Sequence, residues 1–158
     1  MSDDTVTINV KGLDQLLKAL KAGPPIARVG ILGDKTVRSG GGSFQTNAEI
    51  GAAHEFGTSK MPARSFLRVP ISQNLQKEME SSGALDKKTL NEVVKQGSVL
   101  PWVKKIAILA EGIVADAFDT AGFGKWPGWK NPNYTNNSGQ LLVDTKQLRD
   151  SITSEVKE

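Results

Sequence analysis

The stretch from Pro101 to Gly122 constrains this chain more than any other. Trp102, Ile106, Leu109, Ile113 and Ala117 recur at helical spacing, and Val103, Ala110, Val114 and Phe118 widen the stripe. An apolar face that broad belongs to a helix packed against a core. Pro101 suits the first turn, where its missing amide costs nothing, and Gly122 is the stop. The spacing predicts one long helix over about 101–120, around which the rest of the domain has to be arranged.

The flanking segments alternate between strand and helix signals. Thr5 to Val10 places Val6, Ile8 and Val10 on one side, as a half-buried strand does. Leu13, Leu16, Leu17 and Leu20 then form a helical stripe that Gly23-Pro24-Pro25 ends. Ile26 to Leu32 is apolar and β-branched enough for a second strand. Thr46 or Asn47 can cap a helix running to Phe56, with Gly57 as its stop. Leu67, Ile71, Leu75 and Met79 mark another helix, and Leu85 to Lys95 a weaker one after Gly83. Asp144 or Thr145 can start a last helix with Leu148 and Ile152 inward, leaving Thr153 to Lys157 for a terminal strand. This order predicts an α+β fold, a small antiparallel or mixed sheet packed against several helices. At 158 residues one domain, 1–158, is expected, with extended loop arms at about 33–45 and 123–139.

Composition removes several kinds of chemistry. Without cysteine there is no disulfide, thiolate metal site or Cys nucleophile, and the one histidine, His54, has no second histidine four residues on. A hydrogen-bonded structural role for His54 is expected. Gly30 to Thr36 lacks the four-residue spacing of a phosphate loop. The carboxylate pairs Glu78/Glu80 and Asp116/Asp119 fall on polar helix faces. No apolar run approaches the ~20 residues of a membrane span, and the acidic start MSDD is unlike a signal peptide. The expectation is a non-enzymatic protein with no cofactor, no metal and no membrane association, made in a cytoplasm. The net charge, 20 − 17 = +3, implies no nucleic acid by itself. Lys87/Lys88 and Lys104/Lys105 are the basic doublets that a DNA-binding module would use, together with the tryptophans. Trp126, Trp129 and Tyr134 lie in a Gly/Pro/Asn-rich segment, where they either cover the long helix or anchor an interface.

Two segments carry a resemblance. Ala53-His54-Glu55-Phe56-Gly57, followed by Met61-Pro62-Ala63-Arg64-Ser65-Phe66-Leu67, is similar to the helix-turn-loop of the tailed-bacteriophage virion-morphogenesis and tail-completion proteins. Ser65 stands where that family commonly has proline. Leu142 to Ile152, LVDTKQLRDSI, is similar to the family's Asp-Thr-Gly-x-Leu-x-x-Ser run, with Lys146 in place of the glycine. The two stretches cover about a sixth of the chain.

The resemblance implies a structural virion protein, a tail-completion or neck component at the head–tail junction. Tail terminators and head–tail connectors of related fold are the alternatives. It further implies a homo-oligomeric ring, contacts with other neck and tail proteins, and DNA passing a lumen without sequence specificity. The expected site is the virion neck or tail, with the host cytoplasm during assembly. Arg64, Phe66 and Arg68 form a candidate interface anchor together with Trp126, Trp129 and Tyr134. The alternative at that loop is an Arg64 that caps the preceding helix and a Phe66 in the core.

Overall fold

The computed structural model describes residues 10–33, 46–129, 138–143 and 146–158. In chain order these form α1 (Val10–Ala22), β1 (Ile26–Ile31), α2 (Asn47–Phe56), α3 (Arg68–Ser81), α4 (Lys87–Gln96), α5 (Leu100–Asp119), α6 (Gln147–Asp150) and β2 (Ile152–Lys157). The fold is α+β, as the order of signals predicts. α5 is the long helix, with Pro101 in its first turn and Ala107, Ala110, Ile113, Val114, Ala117 and Phe118 buried. Its N-terminal half is less enclosed, so Trp102 and Ile106 are only half-buried. There the Trp102 indole donates to the carbonyl of Ala84 (2.8 Å) and Lys105 Nζ to that of Ser82 (2.9 Å), fastening the α3–α4 turn onto α5.

β1 and β2 come from distant parts of the chain and pair antiparallel, from Ile26 opposite Lys157 to Ile31 opposite Ile152. A two-stranded ribbon is marginal in water and needs a surface to lie on. α5 packs against both strands and supplies it. Val29, Ile31 and Ile152 face the core, which is built on Phe66, Val114, Phe118, Val143 and Leu148. Phe66 meets Phe118 at 5.1 Å between ring centroids. The short α6 delivers Leu148 to this core, and Arg149 pairs with Asp119 at 2.7 Å to hold α6 to the end of α5.

α2 opens on a reciprocal capping box: Glu49 N–H donates to Thr46 Oγ1 (3.1 Å), and Thr46 N–H to the Glu49 carboxylate (3.0 Å). That arrangement satisfies two orphan donors at once. It ends at Gly57, whose φ of +76° and ψ of 173° only glycine tolerates readily.

Three expectations change. Val10 belongs to α1 and not to a strand, while residues 5–9 of the expected first strand lie outside the described residues. The leucine stripe of α1 is not core: Leu13, Leu17 and Leu20 are each more than a third exposed. α1 rests chiefly on α4, away from the sheet. Of the two expected arms, 34–45 and 130–137 lie outside the described residues, and 123–129 is not an arm, since it folds back on the body. No helix among the described residues is long and apolar enough to cross a membrane.

Candidate functional site

The first of the two segments that carry the resemblance forms one node between the end of α2, the start of α3 and the turn after α5. α3 begins without a capping side chain of its own, because Leu67 occupies that position. A helix start leaves its first backbone N–H groups without intrahelical acceptors. Glu55, one helix earlier and only 5% exposed, supplies the acceptor. Its Oε2 accepts from the N–H groups of Phe66 (2.9 Å) and Leu67 (3.0 Å), and its Oε1 from Arg68 N–H (3.1 Å) and the Ser65 hydroxyl (2.6 Å). Ser65 Oγ in turn accepts from Val69 N–H (3.0 Å). The next residue, Pro70, has no N–H, and Ile71 N–H reaches Leu67 O (3.2 Å). Every donor of the first turn is thus accounted for, and a negative charge sits at the positive end of the helix.

Arg64 does the matching work on the other side. Its backbone N–H donates to His54 O (2.7 Å), closing the end of α2. Its guanidinium donates to the carbonyls of Pro127 (2.8 Å) and Gly128 (2.7 Å), and Arg64 itself is buried. The planar fork of arginine suits two adjacent carbonyls. Loss of solvent lowers the guanidinium pKa, yet arginine keeps its proton in proteins. From the same turn, Trp126 donates its indole N–H to Ser65 O (2.8 Å) and sets its ring edge-on to Phe118 at 5.8 Å. Gly122 allows this approach, since a Cβ there would lie 2.3 Å from the Trp126 ring.

These contacts correct the expected interface. Phe66 is 2% exposed and Arg64 5%, so both are internal, and the reading of Arg64 as a local helix fastener with Phe66 in the core fits the structure. Trp126 covers α5 as a folded-back aromatic would. Trp129 is half-buried, and Tyr134 lies outside the described residues. Of the expected set within the described residues, Arg68 alone is well exposed, with its side chain 67% accessible and 3.8 Å from Glu55. Its guanidinium also stands 5.8 Å above the ring of Phe56, which is itself 68% exposed. Phe56 and Arg68 border a shallow cleft of about 270 Å³ floored by Gly51, Phe66 and Leu67. A second cleft of about 260 Å³ opens between Arg68, Gln73 and the Phe123–Pro127 turn.

Two residues escaped the sequence reading. Glu55 was legible in principle, because a helix starting at Leu67 without a cap must find an acceptor elsewhere. Phe56 is marked by the sequence only as the end of a helix, and its exposure has no local signal. Of the basic doublets, Lys105 is engaged at the Ser82 carbonyl, and Lys87 and Lys88 lie at the start of α4. Among the described residues no three histidine, aspartate or glutamate side chains cluster closely enough to hold a metal ion. Compared with known protein families, with curated proteins and with solved structures, the chain matches none.

Proposed function

We propose that this chain is a structural protein of tailed-bacteriophage particles, a tail-completion or neck component at the head–tail junction that acts by ring assembly and protein contact. One observation carries the reading. Within the segment that resembles that family, Glu55, Arg64, Ser65 and Phe66 are engaged in holding three parts of the fold together, and Phe56 and Arg68 are presented outward beside a cleft. A rigid node that displays one aromatic ring and one arginine has the composition of an interface anchor. Tail terminators and head–tail connectors of related fold would use such a surface in the same way.

In a ring the neighbour's contact surface is a different patch of the same chain, and closure needs a fixed rotation per copy. An exposed anchor on a stiff base suits that demand better than one on a free loop. The test is the mass of the purified chain in solution with electron microscopy of the same sample, alone and mixed with purified heads or tails. Rings, or new density at the neck, are expected. Phe56→Ala with Arg68→Ala should abolish them while the circular dichroism stays unchanged. A chain that neither self-assembles nor joins either particle would refute the proposal.

A further inference from the structure

Six large apolar side chains are left exposed on the packed pair α1 and α4: Val10, Leu13, Leu17 and Leu20 along one side of α1, Leu85 just before α4, and Leu90 on α4. Gly12 is the sole fully buried residue of α1, and α4 has none. Both helices are amphipathic by sequence, so each has an apolar side that the other only partly covers. Exposed apolar side chains scattered singly need no explanation, but a contiguous patch marks a contact surface.

The charge around the patch says what kind of contact. α1 carries Lys11, Lys18 and Lys21 against Asp14, and α4 carries Lys87, Lys88 and Lys95 against Glu92. Six lysines less two carboxylates leave the pair at +4. The whole chain is +3, so everything outside these two helices totals −1. All six lysines are exposed, and among the described residues only Lys95 forms an ion pair, with Glu92 at 3.6 Å. The positive excess of the protein is therefore concentrated on the two helices that carry these exposed apolar side chains.

We infer that the α1–α4 face is a docking surface for a helix of a different protein, one whose apolar stripe is flanked by aspartate and glutamate. A third helix laid along two others buries leucines from both, which is the helix-in-groove mode of recognition. Opposite charge on the rims fixes orientation and speeds encounter. A second copy of this chain would bring +4 against +4 and is repelled. A DNA duplex would satisfy the lysines but leave six apolar side chains in water. An anionic membrane is the closest competitor, yet neither helix holds the Trp or Phe that interfacial helices place on the apolar side.

The experiment uses the full chain and two synthetic helical peptides about five turns long. They share one leucine stripe; one has glutamate flanks and the other lysine flanks. Calorimetric titration should give at least about tenfold tighter binding of the glutamate peptide, weakening as salt rises. Leu17→Asn with Leu90→Asn, both at exposed sites, should reduce that affinity at least about tenfold with unchanged circular dichroism. Lys18→Glu with Lys21→Glu should bring the two peptides to within about threefold of each other or reverse their order. Equal binding of the two peptides, binding of neither, or indifference to the leucine variants would overturn the inference. So would tighter binding to phosphatidylserine vesicles or to a DNA duplex, which would transfer the face to that partner.

Discussion

Replacing Glu55 by glutamine tests the central node with the least change of shape. The carboxylate accepts four hydrogen bonds, two on each oxygen, at 2.6–3.1 Å. In Glu55→Gln one oxygen becomes an NH2 group and must face two donors. On the Oε2 side those are the backbone N–H groups of Phe66 and Leu67, which cannot turn away. On the Oε1 side one is the Ser65 hydroxyl, which can rotate and accept instead. The amide therefore settles there, and Arg68 N–H loses its acceptor. One unsatisfied donor costs about 1–3 kcal/mol. Loss of the negative charge at the start of α3 adds about 0.3–1 kcal/mol. The total, about 1–4 kcal/mol, corresponds to a Tm lower by about 3–16 °C for a chain of this length. Urea denaturation followed by circular dichroism at pH 7 reads it as a shifted midpoint with unchanged slope. Arg68→Ala is the control, because a 3.8 Å pair on a side chain 67% exposed is worth under about 1 kcal/mol. If Glu55→Gln costs less than about 0.5 kcal/mol, or no more than Arg68→Ala, the carboxylate does not act by capping α3.

Arg64→Lys keeps the charge but cannot span the carbonyls of Pro127 and Gly128, so a loss of about 1.5–3 kcal/mol is expected, with an altered near-ultraviolet spectrum of Trp126. Trp126→Phe keeps the ring beside Phe118 and removes the bond to Ser65 O, costing about 0.5–1.5 kcal/mol by thermal melting. Gly57→Ala sets a Cβ 2.8 Å from Ala63 N in a backbone region that only glycine favours, and should cost about 1–3 kcal/mol or more in the same assay. Phe66→Ala should cost about 3–5 kcal/mol, a large part of a total of about 5–15 kcal/mol. Failed assembly by an Arg64→Ala/Phe66→Ala protein would accordingly report unfolding, and the interface is to be probed at Phe56 and Arg68.

Two helices follow from signals within a turn or two of each residue. α5 follows from its stripe and Pro101, and α2 from a capping box whose two partners are three residues apart. Gly57 marks a true stop because its conformation is set by its own backbone. β1 announces itself by an apolar, β-branched run, whereas β2, Ile-Thr-Ser-Glu-Val-Lys, shows only as room for a terminal strand, and nothing in either says that the two pair with each other.

The node and the docking face lie beyond that reach, for two physical reasons. Glu55 meets its donors 10–13 residues on, and Arg64 its acceptors 63–64 residues on. Hydrogen bonds across such gaps exist only after the turns between have been folded, and a carboxylate in a helix reads the same whether it meets water or a helix start. Periodicity likewise tells which residues share a side of α1 but not whether anything covers that side. Leu13, Leu17 and Leu20 carry the pattern of a core stripe and are left exposed because α4 covers too little of it. The sequence by itself thus determined the elements and their faces, which depend on neighbours within one or two turns. Only the tertiary structure decided which faces meet, which charges are buried, and which apolar side remains open to a partner.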